Sequence, residues 1–350
     1  MALKPTNKSA TTAQGPSSAT KERGKKRLGL DGVTQEPVID YLDHAPVSPI
    51  FAYTDGLFQS VPRGKSDVPL DVTAKKSKGH YTYVRFQAPF QLGVEEQSVF
   101  YYLCQRATQD GVNIDESNPL AMKKAKEHVE ALGISGYEKM PPITGLRVRV
   151  PEIVAGLGLE PTGPNISAVK ARLDRLAQVT MSRFNGVGGD GPHTARTRLI
   201  GIAPRDNGML AVLFNPEASD CIRHRRGAVW VNMREQRMLA SKPSRRLHAW
   251  LCAWASTQLI RKVALEVLIK HIWGQQPCSR QVLNSRRETL RKVVGEIATL
   301  PGWVCVVDSA GDNLYVRKPL FVGMTMESVV SRIANVASAA NCVASLSATS

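Results

Sequence analysis

Hydrophobic positions between residues 241 and 320 follow the period of an α-helix in three successive stretches. The first two stretches carry apolar residues at i, i+3, i+4 and i+7, namely Leu247, Trp250, Leu251 and Trp254, and then Leu265, Leu268, Ile269 and Ile272. The second stretch ends at Gly274, a residue type that commonly follows a helix C-terminus. The pattern predicts two helices followed closely by a third.

The third predicted helix has one apolar face and one cationic face. It begins near Ser279, a residue type that caps helix N-termini, and its apolar stripe is formed by Leu283, Leu290, Val294 and Ile297. On the opposite side lie Arg280, Asn284, Arg287 and Arg291, at i, i+4, i+7 and i+11. Because Arg pairs with guanine and Asn with adenine in the major groove, this face favours base reading. The alternative is an ordinary solvated face.

A β-hairpin follows the third helix. Residues 303–307 and 314–318 are strand-like and flank a turn at 309–313. Three helices followed by a hairpin are typical of a winged helix-turn-helix, whose last helix enters the DNA major groove.

The first half of the chain repeats this order of elements from about residue 68 to 215. Residues 68–74 and 80–87 predict a hairpin, residues 94–107 a helix, and residues 151–158 a short helix. Residues 164–181 predict a longer amphipathic helix, and the glycine-rich segment 186–191 predicts the tip of a wing. Strands are expected near Arg183, at 197–203 and at 208–214.

The amphipathic helix at 164–181 directs small and polar side chains outward. The apolar face is formed by Ile166, Val169, Leu173, Leu176 and Thr180, and the outward face by Ser167, Ala171, Asp174, Arg175 and Gln178, flanked by Lys170 and Arg172. Small and hydrogen-bonding side chains allow a helix to approach base edges closely. The alternative is a surface helix in a domain that only dimerises.

The charge of the chain favours a polyanionic partner. Its 350 residues carry a formal net charge of +16, which suits DNA, RNA or an anionic membrane surface. A membrane is the weakest of these partners, because no apolar run approaches the roughly 20 residues that a span needs. Cations on the wings and on the basic connector at 217–242 are expected to contact phosphates; these are Arg183, Arg198, Arg225, Arg226, Arg317 and Lys318.

These patterns predict an α+β protein made of two tandem winged helix-turn-helix domains with disordered tails. The expected parts are a disordered basic tail at 1–45, a first winged-helix domain at 46–218, a basic connector with a second winged-helix domain at 219–320, and a partly helical tail at 321–350. The basic run Lys21–Arg27 is either a solubilising arm or a phosphate-grasping arm, and it also matches the pattern of a nuclear localisation signal.

Enzymatic and cofactor-binding functions find little support in the sequence. The seven histidines form neither a His-x-His pair nor an His-Glu-x-x-His motif, and no carboxylate cluster suggests a metal-dependent nuclease. The segment 186–191 and the Gly64-Lys65-Ser66 triplet both lack the complete P-loop pattern. Six widely spaced cysteines, with no Cys-x-x-Cys pair, favour a reducing cytoplasm over a zinc finger or a disulfide framework. We therefore expect no catalytic residue, no metal and no cofactor.

Several segments resemble the RepC replication initiators of IncQ-type plasmids. The hairpin residues 70–73 and 84–86, with the Leu-Gly motif at 92–97, resemble the opening of that family. Residues 245–254 resemble its R-L-L-H-x-x-L-C-x-W helix, Ile272-Trp273 its Tyr/Ile-Trp pair, and residues 285–291 with 300–303 its recognition helix and Gly-Trp motif. The resemblance covers roughly residues 68–320.

The resemblance implies an initiator that binds direct repeats, called iterons, at a plasmid origin and helps to open an AT-rich region for a hexameric helicase. It places Arg280, Asn284, Arg286, Arg287 and Arg291 on the DNA helix of the second domain. It also places Ser167, Lys170, Ala171, Asp174, Arg175 and Gln178 on that of the first. A homodimer is a further expected assembly. Two other functions stay open: a winged-helix transcriptional regulator at a single operator, and a nickase or relaxase.

Overall fold

A computed structural model describes residues 43–61, 67–75, 83–114, 125–137, 139–185, 193–204, 208–224, 227–274, 278–308 and 312–319. The predicted tails, the wing tip at 186–191 and the connector residues Arg225 and Arg226 lie outside these described residues, apart from residues 43–45 at the end of the first tail.

The described residues form a mixed α+β fold, which confirms the predicted class. Its helices are α1 Pro49–Tyr53, α2 Val94–Asp110, α3 Ala125–Leu132, α4 Val150–Gly156, α5 Gly163–Gln178, α6 Pro216–His224, α7 Met233–Met238, α8 Lys242–Trp254, α9 Leu265–Trp273 and α10 Arg280–Ala298. Its strands are β1 His44–Val47, β2 Phe58–Gln59, β3 Leu70–Lys75, β4 Tyr83–Ala88, β5 Leu92–Gly93, β6 Val112–Ile114, β7 Ile143–Arg149, β8 Thr180–Phe184, β9 His193–Arg198, β10 Ile200–Pro204, β11 Met209–Phe214, β12 Val229–Asn232, β13 Arg261–Ala264, β14 Val304–Val307 and β15 Asn313–Arg317.

Capping contacts mark the helix boundaries in the second half, and they confirm the predicted end at Gly274 and the predicted start near Ser279. Ser241 begins α8 by accepting a hydrogen bond from the Ser244 amide, and Ser279 begins α10 by accepting one from the Val282 amide. Gly274 ends α9 at a φ of 81°, a conformation that side chains disfavour. Strand β13, between α8 and α9, was not predicted, because only Val263 of its four residues is buried.

The second half closes with a three-stranded antiparallel sheet in the order β13-β15-β14. The predicted hairpin is therefore present, and its second strand lies at the centre of the sheet. The backbone amide of Leu265, the first residue of α9, donates to the carbonyl of Asp312, next to β15. This contact holds the start of α9 against the base of the hairpin.

The first half repeats the order of helices and hairpin but not the order of strands. Here the sheet runs β3-β4-β8-β9, and its hairpin is formed by β8 and β9. The first strand of this hairpin, β8, is central, whereas the second strand, β15, is central in the other half. Strand β4, the neighbour of β8, precedes helix α2 along the chain, whereas β13 in the second half lies between two helices. Strand β7, between α2 and α4, joins a separate sheet in the order β10-β11-β7-β6.

Two predicted boundaries in the first half are wrong. Helix α5 ends at Gln178 instead of residue 181, because Thr180 and Met181 pair with β4 and β9 as part of β8. The single strand expected at 197–203 is two strands that belong to different sheets. The break falls at Leu199, whose amide donates to the carbonyl of Val179.

A continuous hydrophobic cluster joins both halves, with members from Ala45 to Val316. The segment from β1 to β2 links them directly, because β1 pairs with β12 and the amide of Ser60 donates to the carbonyl of Ile272. Arg246 on α8 is fully buried and donates to the carbonyls of Ala52, Thr54 and His271. The division into domains at 46–218 and 219–320 stays a prediction.

Candidate nucleic-acid interface

Helix α10 has a buried apolar face and an exposed polar face, as its sequence predicts. Leu290, Val294 and Ile297 are buried, together with Val293, which the predicted stripe omitted. Arg280, Asn284 and Arg291 lie on the exposed surface. The helix thus presents cationic and amide side chains over three turns while its other face is held in the core.

Two further arginines of α10 contact the neighbouring helix α9 and its flank. Arg287 donates from Nη2 to Oε1 of Glu266 at 2.6 Å, and the two side chains are 38% and 70% exposed. Arg286 lies over the Trp273 ring, 5.7 Å from its centroid, and donates to Sγ of Cys278. Arg287 is therefore engaged in an ion pair at the surface, and such pairs contribute little to stability in water.

The last turns of α10 are anchored to the start of α8 by Glu296. Its carboxylate accepts hydrogen bonds from the amide of Ala240 at 2.5 Å and from the hydroxyls of Ser241 and Ser244. Through these contacts the Glu296 carboxylate accepts hydrogen bonds at the N-terminus of α8, where a negative charge is favoured. The orientation of α10 relative to α8 is fixed in this way.

A buried polar cluster fixes the base of the hairpin. His248 Nε2 lies 2.6 Å from Oε2 of Glu235, which also accepts from Nε1 of Trp303 at 3.0 Å. Burial opposes the charged imidazole, but Cys252 and Glu235 outweigh it and raise the pKa of His248 to about 10. Burial likewise opposes the charge of Glu235, but hydrogen bonds from His248 and Trp303 hold its pKa below the ordinary value. The pair is a charged link between α7, α8 and the hairpin.

Helix α5 presents the predicted face with one exception. Ser167, Lys170, Ala171, Asp174 and Gln178 are exposed, and Val169, Leu173 and Leu176 are buried. Arg175 does not lie on the outward face that the sequence predicts. It pairs with Glu96 of α2 at 2.9 Å, donates to the carbonyl of Gln91 and covers the Phe90 ring at 4.1 Å. The guanidinium is drawn to α2 because a carboxylate and an aromatic face lie there together.

The predicted phosphate contacts of the wings divide into exposed and inward-facing cations. Arg198 and Arg317 are exposed. The Arg183 side chain is only 12% exposed, 3.6 Å from Glu217 and over the Tyr137 ring. Lys318 donates from Nζ to the carbonyl of Cys252 at 2.8 Å, and burial lowers the pKa of its ammonium. Arg183 and Lys318 therefore make contacts inside the protein, and their expected contacts with phosphate stay a prediction.

Sequence reasoning missed the cations that stabilise the C-terminus of α8. Arg261 donates to the carbonyl of Trp254 at 2.6 Å, next to the Lys318 contact with Cys252. Cations are favoured at helix C-termini, where carbonyl groups lack partners. The alternation of β15 was a usable signal, because Lys318 falls on the same side as the buried Leu314 and Val316.

Within the described ranges, no helix has both the length and the apolar composition that crossing a membrane requires. The described His, Cys, Asp and Glu side chains also form no group of three or more that could hold a metal ion. The absence of a metal, a cofactor and a catalytic residue stays a prediction.

The comparison with protein families agrees with the sequence resemblance. The family model of replication protein C, RepC, matches residues 39–319, which is most of the chain. The chain belongs to the RepC family. The resemblance drawn from residues 70–97 and 245–303 is thereby confirmed, and a role in replication follows from it. A search of curated proteins found no significant match for this RepC protein.

Two solved structures align with most of this chain at low identity. A selenomethionine derivative of domains 2 and 3 of RctB matches 78% of this chain and 99% of its own, with 11% identity and a TM-score of 0.45. A second structure of RctB domains 2–3 matches 77% of this chain and 97% of its own, with 9% identity and a TM-score of 0.43.

Proposed function

We propose that this RepC protein initiates plasmid replication by binding iteron repeats at the origin through two winged-helix units. The observation that carries the proposal is helix α10, which exposes Arg280, Asn284 and Arg291 while its opposite face is buried. A helix held in this way can lie in the major groove with side chains that form bidentate pairs with guanine and adenine.

The arrangement around α10 supports the winged-helix assignment of the second unit. The chain runs α8, β13, α9, α10, β14 and β15, and the sheet order β13-β15-β14 places the hairpin beside the two helices. In the first unit, two helices, α4 and α5, are likewise followed along the chain by a hairpin, β8-β9. Strand β4 pairs with β8 and takes the place that β13 has in the second unit. Helix α5 is the corresponding reading helix, and its small exposed side chains suit close approach to bases.

Phosphate contacts are assigned to exposed cations of the wings, Arg198 and Arg317, and to Arg225 and Arg226, which lie outside the described residues. Such contacts position the protein without reading sequence. The protein is not an enzyme in this proposal, it acts in the bacterial cytoplasm on plasmid DNA, and a hexameric helicase and a second copy of the chain are its expected protein partners.

A binding experiment tests base reading by α10. Asn284→Ala should weaken binding to an iteron duplex by about 1–3 kcal/mol and relax discrimination at one base pair, because a bidentate amide contact is lost. Ser285→Ala, an exposed neighbour on the flank of the same helix, is the matched control. Fluorescence anisotropy on cognate and random duplexes provides the measurement. Equal losses on both duplexes would show that Asn284 reads no base.

An opening experiment tests initiation. Unstacking costs a few kcal/mol per step, so several bound copies and negative supercoiling must supply the energy for melting. Thymines in the AT-rich tract should become reactive to permanganate on supercoiled origin DNA without ATP, and only when several iterons are present. Equal reactivity on linear DNA with one iteron, or a strict need for ATP, would contradict this mechanism.

A further inference from the structure

A small cavity of about 240 Å³ lies between the two halves of the protein. Its walls come from α2, the connection between α4 and α5, helix α5 itself, α7 and the start of α8. Arg172 of α5 lines one side and Arg245 of α8 lines the other. The cavity is therefore bounded by the proposed reading helix of the first unit and by the helix to which α10 is anchored.

The two arginines have little to bind within the protein. Arg172 makes no hydrogen bond or ion pair with another described residue. Arg245 donates from Nη2 to the carbonyl of Ala240 at a long 3.5 Å, and its Nε is buried without an acceptor in the described part of the chain. That Nε has almost no accessible surface and so does not itself face the cavity, but the Arg245 guanidinium forms no ion pair with a described residue, so its charge stays uncompensated at the cavity wall.

The other charges around the cavity are already engaged. Arg237 donates to the carbonyl of Gly156 at 3.2 Å and lies 3.6 Å from Asp43. Glu95 pairs with Lys242, and the carboxylate of Glu296 accepts hydrogen bonds from the start of α8. The uncompensated charge at the cavity is thus that of Arg172 and Arg245, which favours an anion.

The size of the cavity favours a single phosphate group over a whole nucleotide. Pockets for free small molecules usually enclose about 300–1,000 Å³, so about 240 Å³ is small for a whole nucleotide. One phosphate group of a longer polymer needs less room, because the rest of the polymer stays outside. Guanidinium groups suit phosphate in particular, since they donate paired hydrogen bonds to its oxygens.

We propose that this cavity, lined by Arg172 and Arg245, binds one backbone phosphate of duplex DNA where the duplex passes from α5 towards α10. The inference rests on the proposed function and adds a site to it. The contact carries no sequence information. It fixes the duplex at the junction of the two units, where neither reading helix reaches the bases.

The first test compares Arg172→Gln, Arg245→Gln and the double variant with Arg147→Gln, an exposed arginine of β7 outside the cavity. The double variant should bind cognate and random duplexes about tenfold more weakly, because charge-assisted hydrogen bonds are lost. The slope of log affinity against log salt should become shallower by about 1. Arg147→Gln should change neither quantity to this extent. If the double variant behaves like Arg147→Gln, the site is refuted.

The second test locates the phosphate on the DNA. It uses only the wild type and Arg172→Gln, so it remains valid if the Arg245 variants do not fold. Neutral methylphosphonates are placed one at a time along the iteron duplex. One position between the two read segments should weaken binding to the wild type and leave binding to Arg172→Gln unchanged. The absence of any such position would overturn the proposal.

A third test asks whether the cavity binds a free anion instead. Inorganic phosphate and ATP are added as competitors. If either one binds tightly to the wild type, and Arg172→Gln abolishes that binding, the cavity is a site for a free anion and the proposal is refuted.

These outcomes separate the cavity from the proposed function. A wild type that does not prefer iterons to random duplex refutes the proposed function, whatever the cavity does. A wild type that prefers iterons, with cavity variants that keep the full salt dependence, refutes the cavity alone.

Discussion

Arg317 and Lys318 are adjacent cations at the end of β15, and their side chains point to opposite sides of the sheet. Arg317 is exposed beside the hairpin, whereas Lys318 shares the inward side of Leu314 and Val316 and donates to the carbonyl of Cys252. Charge alone therefore does not identify a phosphate contact. The alternation of the strand decides which cation faces solvent.

This difference predicts opposite effects for the same substitution. Arg317→Gln should make the salt dependence of DNA binding shallower by about 1 and leave the melting temperature unchanged. Lys318→Gln should leave the salt dependence unchanged and lower the free energy of unfolding by about 1–2 kcal/mol, because a charged hydrogen bond at the end of α8 is lost. Anisotropy titrations and thermal melts measure both. Identical behaviour of the two variants would contradict the inward placement of Lys318.

At the scale of elements, the hairpin and α10 are held by charged and polar contacts that sequence patterns do not reveal. Gly274 and Ser279 predict where α9 ends and where α10 begins, because local capping decides those points. The end of α5 and the break at Leu199 could not be predicted in this way, since pairing with distant strands decides them. The same limit applies to Arg175 and Arg183, whose partners Glu96 and Glu217 are distant in sequence.

The buried pair of His248 and Glu235 predicts a pH window of stability. The pKa of His248 is raised, so its contribution is complete below its ordinary value near 6.5 and is lost as the pH rises towards about 10. The pKa of Glu235 is lowered, so its contribution is present above the ordinary value of 4.5 and is lost as the pH falls below it. The wild type should therefore lose stability between pH 6.5 and 10.

His248→Gln should reduce this loss, because Gln does not titrate. Urea unfolding at several pH values, with the difference between wild type and variant as the readout, isolates the histidine from other groups that titrate at high pH. A difference that stays constant from pH 6.5 to 10 would show that His248 is not charged in the folded protein.

At the scale of the whole molecule, the two proposed reading units are not separate bodies on a linker. The segment from β1 to β2, at the N-terminal end of the first half, contacts the second half through β12, Ile272 and the buried Arg246. The sequence predicted most helices of both units but not this connection, because nothing around Arg246 in the sequence indicates which distant backbone carbonyls it will meet.

Arg246→Leu should destabilise the protein by about 3 kcal/mol or more, because three buried carbonyls lose their donor. Arg234→Leu, at an exposed position of α7, is the control. Urea unfolding measures both variants.

The cooperativity of unfolding can be measured with two signals. All five tryptophans lie at or after Trp230, so fluorescence reports the second half while far-ultraviolet circular dichroism reports the whole chain. The two signals should change together in urea for the wild type. Separate transitions would show that the halves unfold independently.

The shared core, in which Arg246 joins the carbonyls of Ala52 and Thr54 to that of His271, has a consequence for how the proposed iterons can change. Units that share a core cannot rotate about the DNA to follow a changed target, and about 10 base pairs make one helical turn. Lengthening an iteron by half a turn between its two read segments would turn one segment to the far side of the duplex, out of reach. If the protein binds iterons as proposed, the repeat length at the origin and the interior of the protein would have to change together. A plasmid lineage would then alter the bases of its repeats through surface residues alone, whereas a new repeat length would also require a changed core.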